Sequence, residues 1–441
     1  MERSEYEERA ERTILYTTYK KRFLILFITC LAIFISAYQQ FEYVAIGNVI
    51  IKFYGTNYQV INWTYLMKAL AILLVFIPFI FIANKFGFRN CLIMATFFNA
   101  IGANIKLMAL NSKLFWLLML GQSMPCSVGL LIAMIIPKMA GAWFRTDEVA
   151  MILGIRNAIY LGAAASAFLS PALIFKEAKT KEEIKIGLFY ISICVAIFTV
   201  LVFILSILFA RDKPPSPPSH AEQSRSQNKF SFYDCLKLFK NRNFILLYIC
   251  DALSNAIWVS VTLTLNQAVF SLFKNASNVL TISGVLNSFS SILGSLTIGF
   301  ITKRMPKYKM LQVIASGLLS LFTITYVLSL WLRSEWILFI SASGIGAIGN
   351  ANNVLSFDHV LEVSYPLSGS VTFSIMYMGH AILNMSLTPL VTALTSKFNA
   401  IIASLVLVIS SLFVCVLTIF LNEDLRRRKA DDEKKPLVSD K

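Results

Sequence analysis

The sequence predicts an all-α membrane protein that crosses a bilayer twelve times, in two bundles of six helices. Three observations carry that prediction. Of 441 residues, 57% are hydrophobic and 15% charged, a balance far more apolar than a soluble core of this length requires. The apolar residues gather in runs of about 20, the length that spans a hydrocarbon layer at about 1.5 Å per residue. The runs also fall into two sets of six with a polar interval between them.

In chain order the first set covers residues 23–50, 63–83, 88–110, 114–137, 150–175 and 186–210. The second covers 244–273, 279–302, 310–332, 336–356, 366–394 and 399–421. Between them stands "ARDKPPSPPSHAEQSRSQNKFSFYDCLKLFKNRN", too rich in Pro, Ser and charge to build a core. The expected organisation is therefore an N-terminal segment 1–22, a bundle 23–210, a linker 211–243, a second bundle 244–421 and a tail 422–441. Within the linker, Phe232 to Lys240 has the pattern of one short amphipathic surface helix.

Lys and Arg number 40 against 24 Asp and Glu. Their position argues against nucleic acid as a partner: most lie in the two termini and in the loops on the same side. That asymmetry predicts cytosolic termini, with the "LRRRK" run at 425–429 facing an anionic leaflet. A multi-pass protein of the plasma membrane, acting as a monomer on a small-molecule substrate, is the expectation. The N-terminal "MERSEYEERAERT" lacks a cleavage pattern, so the first span serves as its own address. Of the outer-loop sequons, Asn275 is the better glycan acceptor, because Asn62 is almost in the bilayer.

Several chemistries are disfavoured. The seven cysteines fall in spans or the linker, and with three histidines no metal-ligand cluster or disulfide framework is expected, nor a cofactor. "GIGAIG" at 344–349 matches a dinucleotide pattern but lies inside a span with no preceding strand. It reads as a close-packing helix face. No nucleophile, base and acid stand together, so an enzyme is not expected.

The polar residues inside the spans fall on helical faces. On the seventh span Asp251, Asn255, Trp258, Thr262 and Asn266 share one side, and on the eleventh Tyr377, His380 and Asn384 do. On the first, Ser36, Gln40, Tyr43 and Gly47 make a third face. Each stripe must meet water or protein, which points to a shared cavity. Glu42 lies about 160° around the helix from Gln40, so it needs a partner elsewhere. Lys68, near the outer start of the second span, is the expected one, since a lone charge in a bilayer costs about 2.5–3.5 kcal/mol. The alternative is a cavity-facing Glu42 that binds a proton or cation. Arg156 and Asp251, both near the inner side, could form a contact between bundles that breaks on opening; otherwise each snorkels separately. His380 is either a structural hydrogen-bonding residue or a cavity group, and with no second His on a facing span axial haem ligation has weak support.

The six-plus-six arrangement with a basic central loop resembles the major facilitator architecture, whose halves rock about a midplane site. The loop signature after the second span appears as "NKFGFRN", with Lys85, Gly87 and Arg89 in place and Asn84 where the superfamily carries an acid. In the second half, Lys303 stands at the acid's position. A finer resemblance runs through "FNAIGANIK" at 98–106, "LFWLLMLGQ" at 114–122, "WF" with "EV" at 143–149, "LTLNQ" at 263–267 and "EVSYP" at 362–366. These look like the feline leukaemia virus subgroup C receptor family, solute carrier family 49. The resemblance implies transport of choline or ethanolamine, with haem export as an alternative. It also implies a cation site with Trp on helix one, Gln on helix five, Tyr on helix seven and Gln on helix eleven. At those positions stand Gln40, Tyr160, Val259 beside Trp258, and Ala381 beside His380. The implied cage is thus changed at every position, though Tyr160 and Trp258 could rebuild an aromatic one. The altered loop signatures also admit a non-transporting receptor or sensor.

Overall fold

A computed structural model describes residues 19–144, 148–175, 180–214, 238–305, 307–364 and 369–423. The first half contains α1 (Lys21–Ala45), the short α2 (Gly47–Tyr54), α3 (Tyr58–Met108), α4 (Phe115–Trp143), α5 (Val149–Ile174) and α6 (Lys181–Phe209). The second contains α7 (Arg242–Leu272), α8 (Ala276–Arg304), α9 (Tyr308–Leu332), α10 (Glu335–Val363), α11 (Gly369–Lys397) and α12 (Ala400–Ile419). α1 and α2 together make the first crossing, and α3 makes two, folded at Gly87.

Among the described residues ten stretches are long and apolar enough to span a membrane. α10 and α11, at 29 residues each, are long enough for two further crossings. The second half of α10 carries Asn350, Asn352, Asn353, Asp358, His359 and Glu362. The expected surface helix at Phe232–Lys240 lies, up to residue 237, outside the described residues, as do 1–18 and the basic run at 425–429.

Local chemistry fixes the helix ends. Thr180 and Glu183 form a capping box on α6, each side chain accepting from the other residue's backbone N–H. Asn57 caps α3 and Asn399 caps α12 through their side-chain oxygens. Other contacts show which ends lie together. Arg22 pairs with Glu148 at 2.7 Å, joining the starts of α1 and α5. The Arg89 N–H donates to Asp212 Oδ1 at 2.7 Å, joining the α3 fold to the end of α6, and Asn243 bonds Asn422 across α7 and α12. These ends define the terminal end of the molecule; the opposite one is the far end.

Asp212 also answers the missing acid of the loop signature. Asn84 cannot supply a carboxylate, but one arrives from the chain after α6. It reaches the turn because Gly87 adopts φ 74° and ψ −177°, a region open essentially to Gly. A Cβ there would stand 2.7 Å from Asp212 Oδ1.

The "GIGAIG" stretch packs helices closely, as its small residues require. α10 presses on α8 so tightly that a Cβ on Gly346 would enter the Asn287 carbonyl. Around the outside, Leu74, Ile77, Phe81, Leu173 and Trp336 are exposed, an apolar belt suited to acyl chains.

Gly87→Ala is expected to lower stability by about 1–3 kcal/mol through backbone strain alone. Thermal melting of the detergent-purified protein reads this; an unchanged midpoint contradicts the assignment.

Candidate functional site

The charges inside the first half are paired, but not as the sequence suggested. Glu42 does not meet Lys68. Its Oε2 accepts from Lys106 Nζ at 3.0 Å, and the two residues are 3% and 2% exposed. Lys106 also reaches Gln122 Oε1 at 3.3 Å and lies over the Tyr43 ring. Gln122 Nε2 donates to the carbonyl of Gln39, whose own amide donates to Asn99. Tyr43 therefore belongs to this buried network and not to a cavity. The helical wheel correctly turns Glu42 away from Gln40, yet cannot tell which leg of α3 returns to the same depth. It is the second leg, and Lys106 was hidden within a stretch read as a family motif.

In the second half the two polar stripes face each other. His380 Nε2 lies 2.6 Å from Asp251 Oδ2, with Asp251 wholly buried. Asn384 donates to Asn255, Ser260 bonds Thr388, and Gln267 donates to Ser396. α7 and α11 are thus joined by a ladder of polar pairs. The expected contact between Arg156 and Asp251 is absent, since Asp251 is taken by His380 and by Asn353 at 3.3 Å. Nor does Asp251 snorkel, being buried. Because Asp251 occupies Nε2, His380 has no free Nε2 to offer haem. Thr262 donates to the Trp258 carbonyl one turn back, and Trp258 packs against Gly349, so neither lines the cavity described below. The aromatic cage of Tyr160 with Trp258 is therefore not assembled there.

Asn266 joins the halves. α1 breaks at Ile46 (φ −107°, ψ 27°), which frees backbone groups that lipid cannot satisfy. Asn266 from α7 fills the break. Its Nδ2 donates to the Ala45 carbonyl at 2.9 Å and to Asn48 Oδ1 at 3.0 Å, while its Oδ1 accepts from Asn48 N and the Tyr58 hydroxyl. Nearby, Asn62 donates to Thr392 at 2.8 Å, which buries the first sequon. These bonds close the far end.

On the terminal side of this clamp lies a cavity at the seam between the halves. Ser36, Gln40, Gly129, Lys68, Arg156 and Tyr160 from the first half and Tyr377 from the second form its polar wall and floor. Its volume is about 50 Å³, space for roughly three or four waters and well below the roughly 300–1,000 Å³ of a ligand pocket. Lys68 Nζ donates to the Tyr160 hydroxyl at 2.8 Å and sits 4.6 Å from its ring centroid. Gln40 Oε1 is buried without a partner. A Cβ on Gly129 would meet Gln40 Nε2 at 2.6 Å, so glycine is what leaves the space. Of the residues singled out in the sequence, Gln40, Lys68, Arg156, Tyr160 and Tyr377 meet here. Tyr43, Glu42, Asp251, Trp258, Thr262, Asn266 and His380 lie elsewhere. No group of three or more metal-ligating side chains occurs among the described residues.

Two half-bundles, clamped at one end around a seam cavity, define a membrane carrier. The chain belongs to the Major Facilitator Superfamily, whose model matches residues 23–364. It is 26% identical over 418 residues to an uncharacterized MFS-type transporter, C09D4.1 of Caenorhabditis elegans, covering 93% of this chain and 71% of that one. It is 25% identical over 437 residues to the choline/ethanolamine transporter FLVCR2 of Rattus norvegicus, covering 96% and 78%. In structure it is similar to a bacterial homologue of the human lysosomal transporter Spinster, solved inward-facing and unoccupied. That match has a TM-score of 0.71 at 13% identity, covering 95% of this chain and all of that one.

Glu42→Gln should destabilise the protein by about 3–5 kcal/mol, because Lys106 is left charged and buried. Pairing it with Lys106→Gln should recover much of the loss. Melting curves of the two singles and the double form the test, and strictly additive losses would contradict the pair.

Proposed function

We propose that the chain carries a small organic solute across a membrane by alternating access, using the seam cavity as its binding site. The observation that carries this reading is the position of that cavity, lined by the first half, met by Tyr377 of the second, and sealed on one side by the Asn266 clamp. Its small volume fits a resting state that must widen to admit a solute. An amine of the choline or ethanolamine class is the starting point, by similarity to FLVCR2. The Tyr377 ring and the Gln40 amide oxygen suit an ammonium headgroup.

The alternatives from the sequence fare less well. A haem cargo finds neither a free axial Nε2 on His380 nor room in the seam cavity. A non-transporting receptor gains little from the altered loop signature, since Asp212 restores an acid at the first turn. Facilitated diffusion is the simplest mechanism, since the buried acids Glu42 and Asp251 already have partners. The basic bias of the terminal end supports cytosolic termini, and we place the carrier in the plasma membrane as a monomer. The exposed Asn275 is then the extracellular glycan acceptor.

Gly129→Val should fill the cavity and push Gln40 aside. Uptake of radiolabelled solute by expressing cells should fall at least tenfold while surface expression is kept. Unchanged uptake by the variant would place the pathway elsewhere.

A further inference from the structure

The cavity gathers two cations that no described acid answers. Glu42 has Lys106, and Asp251 has His380. Lys68 and Arg156 form no ion pair among the described residues. Both line the seam cavity, and its described lining contains no Asp or Glu. Two cations with no counter-charge in a membrane are costly, and function is the default reason to keep them. The aromatic seat is also taken. Lys68 already occupies the Tyr160 face at 4.6 Å, where a quaternary ammonium would otherwise settle. A purely cationic solute would bring a third positive charge to this wall. Meanwhile Gln40 Oε1 offers a buried acceptor with nothing to accept from.

We propose that the solute carries an acidic group, a carboxylate or phosphate, neutralised by Lys68 and Arg156, together with a hydrogen-bond donor such as an ammonium for Gln40 Oε1. This rests on the transport reading and changes the charge expected of the cargo: a small zwitterion in place of a simple amine. Arginine and lysine suit the acidic end, one as a planar fork and the other as a point charge.

The test compares matched probes in proteoliposomes: radiolabelled ethanolamine against phosphoethanolamine, and choline against glycine betaine. Within at least one pair, the acid-bearing member should move at least tenfold faster than its partner. Lys68→Gln and Arg156→Gln should each lower that flux at least tenfold through a raised KM, and Lys68→Arg should retain most of it. Melting curves of each variant, with and without the probe, separate lost recognition from lost folding: a folded variant should lose the stabilisation that the probe gives the parent. Faster or equal movement of choline and ethanolamine would overturn the zwitterion and leave transport standing. Acid-bearing flux that ignores both neutralised variants would overturn the assigned residues. No flux and no stabilisation by any of the four probes would overturn the transport reading, and this inference with it.

Discussion

Hydrocarbon offers no water, so every polar group within these helices must be matched by protein or by cargo. That constraint organises the molecule. Lys106 answers Glu42, His380 answers Asp251, and Asn266 answers the carbonyl and N–H released where α1 breaks at Ile46. Lys68 and Arg156, which form no ion pair among the described residues, stand together at the cavity. In this sense the candidate site is where two cations lack a counter-charge.

The matches differ in strength according to where they lie. The strongest matches sit inside one half: the Glu42–Lys106 ion pair in the first, and the 2.6 Å contact of Asp251 with His380 in the second. Removing one member of a buried ion pair such as Glu42–Lys106 costs about 3–5 kcal/mol, and both contacts tie helices within a half. Across the far-end seam the matches are neutral, through Asn266, Asn48, Tyr58, Asn62 and Thr392. Neutral hydrogen bonds are worth about 0.5–1.5 kcal/mol each, small enough to exchange for water when the far end opens. Rigid halves with an exchangeable seam are the mechanical requirement of a carrier.

The fold was readable from the sequence because lipid leaves few choices: a run of about 20 apolar residues must cross, and crossings must pack. The pairings were less readable. Helical periodicity places Asp251 and His380 on polar stripes but cannot say that α7 and α11 are neighbours whose stripes meet each other. Glu42 was correctly turned from the cavity, yet its partner depended on the depth at which α3 returns. The break at Ile46 carries only a weak sign, the small Gly47 in an otherwise apolar and polar-aromatic run. Without it, Asn266 reads as one more cavity group. Lys106 had a signal that could have found it, a lysine inside an apolar span, which by itself demands an acid. Asp212 had none, since proximity of the α6 end to Gly87 is a tertiary fact.

The central claim is that Gln40 faces a solvent chamber gated by Asn266. Alkylation of Gln40→Cys by a membrane-impermeant maleimide, applied from either side of oriented vesicles and read above the signal of the parent chain, tests it most directly. Labelling should be faster from the terminal side, and adding Asn266→Ala should raise the rate from the far side. A thiol at position 40 that stays inert from both sides, or reacts equally from both with Asn266 intact, would contradict the account.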